Sequence, residues 1–115
     1  MEFNEDYELY VHENENILFA WEEEPEDDYI EIVEKLTKNY YDQLDKIIEF
    51  MLPDLIKVYG PVDPEEVKEK LGNPLINYDS GQLEYLNHTF DDEHILTMEF
   101  LDDEFKDLQY FSIDG

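Results

Sequence analysis

From Ile30 to Leu55 apolar residues return every three or four positions: Ile30, Val33, Tyr40, Leu44, Ile47, Met51 and Leu55, with Leu36 and Ile48 widening the stripe. A stretch with one apolar face of this length can be satisfied only as a long amphipathic helix laid on a second hydrophobic layer. Asp27 or Asp28 is placed to cap its start. Glu31 before Lys35, Glu34 before Lys38 and Asp42 before Lys46 predict ion pairs on its outer face. Pro53 predicts a kink or restart, and Gly60 an end. A second, short helix is punctuated by Asp63 as N-cap, Pro64 at the first helical position, Glu66 for a capping box and Gly72 just past the end.

The layer beneath must come from alternating segments at both ends of the chain. Residues 7–22 read as a hairpin about the polar loop His12–Asn16, with Val11 facing Ile17, Leu9 facing Phe19 and Tyr7 facing Trp21 on the core side. The other side of that hairpin then carries Glu8, Tyr10, Leu18, Ala20 and Glu22. After Pro74, residues 75–78 suggest a short edge strand and Asp79-Ser80-Gly81 a turn. Residues 83–89 and 94–100 form a second hairpin about Phe90–Glu93, and 108–113 a last strand. In this reading Leu83, Tyr85, Leu96, Met98 and Phe100 face the helices. Glu84, Leu86, His88, Ile95, Thr97 and Glu99 face away, with Glu84 directly across from Glu99. The expected architecture is α+β, an antiparallel sheet of four to five strands with one long and one short helix packed on one face, in a single domain over residues 1–115.

Charge narrows the functions open to such a domain. Its 33 Asp and Glu stand against 7 lysines and no arginine, a formal net charge of −26. Such a chain repels nucleic acid and anionic membrane surfaces. The 9 Tyr, 7 Phe and 1 Trp supply the core that a disordered acidic tail lacks. The surplus is uneven, because residues 1–25 contain no lysine and residues 82–115 only Lys106. Self-repulsion of this size destabilises the compact state, and attraction of a basic partner is the usual compensating gain. The absence of cysteine fits a reducing compartment, and the amino terminus lacks the basic and apolar regions of a signal peptide, so a cytoplasmic location is expected.

Candidate chemistry is thin. Ser80 and Ser112 are the only serines and neither sits in a nucleophile motif, and the 4 glycines form no phosphate-binding loop. The chain therefore reads as a non-enzyme without a cofactor. His88, Asp91, Asp92 and His94 are the one cluster of metal-ligand residue types, but paired aspartates at a hairpin tip are ordinary turn chemistry and the structural role is favoured over a metal site. The acidic run Glu22–Asp28 serves as a linker or as a contact for a basic partner. Tyr10 and Leu18 are candidate anchors on the open face, whereas Trp21 belongs to the core.

The stretch from Gly72-Asn73-Pro74-Leu75-Ile76 through Leu83 to Ile95, closing on Ser112-Ile113-Asp114-Gly115, resembles a family of small acidic bacterial domains of unknown function, some members of which are suspected immunity proteins of polymorphic toxin systems. The resemblance implies a protein-binding role and carries over no catalytic residue. Together these features predict a module that docks a basic, nuclease-like toxin through Glu8, Tyr10, Leu18, Glu22, Glu84 and Glu99. A homodimer formed through the same face is the alternative.

Overall fold

A computed structural model describes residues 2–6 and 8–114. Seven strands form one sheet in sequential order: β1 (Glu2–Asn4), β2 (Leu9–Asn14), β3 (Ile17–Trp21), β4 (Leu75–Asn77), β5 (Gln82–Tyr85), β6 (Ile95–Phe100) and β7 (Leu108–Asp114). Two helices, α1 (Tyr29–Tyr59) and α2 (Pro64–Leu71), lie between β3 and β4 in the chain. They form the crossover that makes β3 and β4 parallel, while every other neighbouring pair is antiparallel. The α+β class and the long and short helices are as expected. The sheet is wider than four to five strands and mixed rather than antiparallel throughout.

β4 is the reason for the difference. Three residues after a proline suggest an edge, yet β4 is central, paired on both sides, with Ile76 fully buried and Leu75 nearly so. A strand enclosed on both faces reads as a continuous apolar run and shows no alternation. The Leu18 N–H bonds to the Pro74 carbonyl at 3.0 Å, so the proline tethers β4 to β3.

α1 has 31 residues, a length of about 46 Å at 1.5 Å per residue, and sets the 44 Å long axis of the molecule. Val33, Leu36, Tyr40, Ile47, Ile48, Met51 and Leu55 are buried on its inner face as the stripe requires, whereas Ile30, expected to open that stripe, is exposed and Tyr29 packs against the core instead. The helix runs on through Pro53, which is exposed. Asp28 is the N-cap, but its side chain makes no capping bond. The expected ion pairs also regroup: Lys38 bonds Asp42 at 2.9 Å, Lys46 lies 3.8 Å from Glu49, and Lys35 reaches Asp103. α2 follows its punctuation, with Asp63 accepting from the Glu66 N–H at 2.9 Å.

α1 rests on the face made by Phe19, Trp21, Ile76, Leu83, Tyr85, Leu96, Met98 and Phe100. Within that core the hydroxyls of Tyr40 and Tyr85 bond each other at 2.7 Å, and burial, foremost, raises both phenolic pKa values. Truncating Tyr85 to Phe strands the Tyr40 hydroxyl in an apolar setting and is expected to cost about 1–3 kcal/mol. Removing both hydroxyls eliminates the stranded group, so the double Phe variant should recover most of that loss in urea denaturation. Equal destabilisation in the single and double variants would contradict this account.

The first hairpin corrects the predicted pairing. Its turn is the two-residue Glu15-Asn16, both at positive φ (47° and 68°), as a type I′ hairpin turn demands. Tyr10 pairs with Trp21, His12 with Phe19 and Asn14 with Ile17, an odd shift from the predicted register that exchanges the faces of β2. Polar side chains misled the reading: Asn14 faces the helix because its amide donates to Thr37 Oγ1 at 2.9 Å, and His12 because its ring meets Tyr29 edge-on. The predicted partner of Trp21, Tyr7, lies outside the described residues.

Candidate functional site

Neither helix packs on the opposite face of the sheet, although Ala20 and Leu75 at its centre are buried among their neighbours. Across it runs one row of neighbours Glu13, Leu18, Leu75, Glu84, Thr97 and Ser112, and beside it a second row Val11, Ala20, Asn77, Gln82, Glu99 and Gln109. No lysine occupies either row. Leu18, Glu84 and Glu99 therefore stand where the sequence placed them. Glu84 is opposite Thr97 rather than Glu99, and Glu99 is opposite Gln82; this even shift keeps both carboxylates on the open side but separates them. The separation removes the like-charge clash that direct opposition would impose.

Tyr10 does not belong to this surface. As the partner of Trp21 it turns to the helix side, packs against the core and meets Phe3 edge-on at 5.1 Å. Its predicted role as an open-face anchor is withdrawn for that reason. Val11 and Leu9 take the open side of β2 instead. Glu8 lies in the β1–β2 turn at φ 57°, and Glu22 just beyond β3, where its N–H donates to Asp79 Oδ2 at 2.9 Å. Both are exposed and sit at the margin of the face, not within it.

That margin holds half of the net charge. Strand directions bring residues 5, 6 and 8 and the loops 22–28, 78–81 and 101–107 to one edge of the sheet. They contribute Glu5, Asp6 and Glu8; Glu22, Glu23, Glu24, Glu26, Asp27 and Asp28; Asp79; and Asp102, Asp103, Glu104 and Asp107, against Lys106 alone. The surplus is thus concentrated, but on the loop edge bordering the open face rather than across the face. Sequence alternation carries no information on which loops share an edge; only the strand order does.

Loop 101–107 is built, not slack. Asp102 accepts from the N–H groups of Glu104, Lys106 and Asp107 at 2.8, 3.1 and 2.9 Å. Phe105, at φ 58°, dips into the core beside Tyr40 and Phe100. Neither role shows as alternation or helical periodicity.

On the face itself Glu84 is half-buried between Leu75 and Thr97, and loss of solvent raises its carboxyl pKa. No hydrogen bond or ion pair compensates it among the described residues. A cation brought by a partner would relieve that cost. The Asn77 side-chain carbonyl is likewise enclosed without a donor among the described residues.

The histidine cluster lies at the opposite edge. The loop between β5 and β6 spans residues 86–94, much longer than the predicted tip. His88 is buried; the Phe90 N–H donates to its Nδ1 at 3.2 Å, leaving Nε2 to donate to the His94 carbonyl at 2.6 Å. Asp91 joins His94 Nδ1 at 2.8 Å and accepts from the Tyr59 hydroxyl at 2.6 Å. The cluster thereby anchors the loop to the end of α1, and among the described residues no group of three or more candidate ligands is disposed to hold a metal. Desolvation and then the Asp91 carboxylate push the Tyr59 pKa up to about 12.

The Tyr59 bond, foremost, with His94 and the N–H groups of Glu93 and His94, holds the Asp91 carboxyl well below the usual carboxylate range. A carboxyl lowered in this way stabilises the fold above its unfolded pKa of about 3.9, and the contribution fades as pH falls from there towards the folded value. The stability gap between the protein and Asp91→Asn, measured by urea midpoints, is expected to narrow below about pH 4. A gap unchanged between neutral and acid pH would contradict this.

Comparison with family models, curated proteins and solved structures finds no match. No helix among the described residues is long and apolar enough to cross a membrane.

Proposed function

We infer that the protein is a non-enzymatic binding module for a basic protein, which docks on the open sheet face and is steered there by the adjoining loop edge. The observation that carries this reading is the convergence of four acidic loops containing one lysine beside a face that has carboxylates, aliphatic side chains and no cation. Carboxylates accelerate encounter with a positive surface, and desolvated aliphatic contacts slow departure. Leu18 and Val11 supply such contacts here, with Ile95 at the β6 end.

The resemblance of residues 72–95 to acidic bacterial domains, some suspected of toxin immunity, favours a nuclease-like toxin as the partner. A cleft that holds nucleic acid is cationic and complements this edge; occupying it inhibits the enzyme. A protein of that role works in the cytoplasm, where the toxin acts. The aliphatic centre of the face also suits a homodimer, which would sediment as a dimer at low and high salt alike.

For a basic protein that copurifies with the chain, the association rate is expected to fall roughly tenfold to a hundredfold between about 0.02 M and about 0.3 M salt. Stopped-flow fluorescence through Trp21 and the tyrosines measures it. A rate indifferent to salt would remove the steering role.

A further inference from the structure

At the end of the open face away from the acidic edge, a pocket of about 130 Å³ is lined by Glu13, Asn16, Asn73 and Asn87 over a floor of Leu18, Leu75 and Leu86. The end of β2, the turn after it, the segment entering β4 and the loop after β5 meet there. The side chains of Glu13 and the three asparagines make no hydrogen bond or ion pair to another described residue, so their oxygens are open to a ligand. No cation lines the pocket. A cavity of roughly 150 Å³ takes benzene, and a guanidinium is smaller.

Resting on the docking reading above, we propose that this pocket receives an arginine side chain of the basic partner. Leucines on the floor suit the aliphatic stem, and the Glu13 carboxylate with amide oxygens spread around the rim suits a planar head with five N–H donors. An ammonium offers three donors from one point and matches dispersed acceptors less well. Glu22 and Asn16 stand at opposite ends of β3, about 20 Å apart along an extended strand. Attraction at one end of the face and insertion at the other would fix the orientation of the partner.

The test uses the intact protein and N-acetyl-arginine N-methylamide as probe, with its citrulline and lysine counterparts, followed by NMR of the Asn side-chain amides and Leu methyls. The arginine probe is expected to shift Asn16, Asn73, Asn87, Leu18 and Leu75 and to bind at least about fivefold more tightly than citrulline, the difference between a charge-assisted and a neutral hydrogen bond. Glu13→Gln, at an exposed position without a structural side-chain bond, should lose that preference while keeping the melting temperature. Equal binding of citrulline, or binding of lysine as tight as arginine, would overturn the assignment. Shifts confined to residues 22–28 and 101–107 would also overturn it, yet leave the docking reading standing. Absence of shifts together with salt-independent association of the partner would remove both.

Discussion

Replacing Glu22, Glu23, Glu24 and Glu26 together by glutamine is expected to slow association with the basic partner about tenfold at low salt and to leave dissociation nearly unchanged. These side chains are exposed on the loop edge. The Glu22 N–H bonded to Asp79 and the Glu26 carbonyl bonded to the Tyr29 N–H are main-chain groups, which the substitutions keep. Stability should not fall, and with fewer like charges it should rise slightly. Leu18→Ala on the open face is expected to do the reverse, speeding dissociation with little effect on the encounter. Its burial is intermediate, so the fold survives the loss. A loop-edge variant that changed only dissociation would show contact there instead of steering.

The largest effect on stability is expected at Gly72. Its φ of 72° and ψ of −162° lie in a region essentially restricted to glycine. A Cβ there would stand 2.9 Å from the Asn87 carbonyl oxygen and 3.3 Å from its carbon, both main chain and unable to swing aside. Gly60, at φ 86°, shares the conformational restriction, but a Cβ added to it would meet nothing within 4 Å.

Gly60→Ala should therefore cost the backbone strain alone, about 1–2 kcal/mol, and Gly72→Ala about 3 kcal/mol or more, because overpacking adds to strain. Calorimetry of the two variants measures the difference. The same close approach, with the Thr89 N–H bonded to the Lys70 carbonyl at 2.8 Å, locks the end of α2 against the loop after β5. Asn73 and Asn87 of the arginine pocket ride on that junction, so Gly72→Ala should disturb the pocket as well. Equal costs at the two glycines would refute the clash.

Where periodicity was the signal, the sequence was legible. The stripe of α1, the cap of α2 and the faces of β5 and β6 follow from spacing alone, because burial on one side leaves a period of 3.6 or 2. Periodicity fails where a polar group satisfies another polar group inside. Asn14 on Thr37 and His12 on Tyr29 disguised the helix-facing side of β2 and sent Tyr10 to the wrong surface. It fails again at β4, buried on both sides, and at Phe105, held by a loop conformation that Asp102 organises.

Half of the proposed contact surface was readable for the same reason. Leu18, Glu84 and Glu99 lie on alternating strands, and an even register shift leaves their faces unchanged. The acidic edge was not readable, since residues from four separate loops converge only through the order of the strands. The pocket is similar: Glu13, Asn73 and Asn87 are far apart in sequence and meet through the parallel β3–β4 junction.

The steering claim is tested most directly by the association rate of the partner with the protein and with the glutamine variant of residues 22, 23, 24 and 26, each followed across ionic strength. Two lines are predicted, the wild type steeper and faster at low salt, converging as screening shortens the Debye length to about 3 Å near 1 M. Parallel or coincident lines would mean that the acidic edge plays no part in bringing the partner to the sheet.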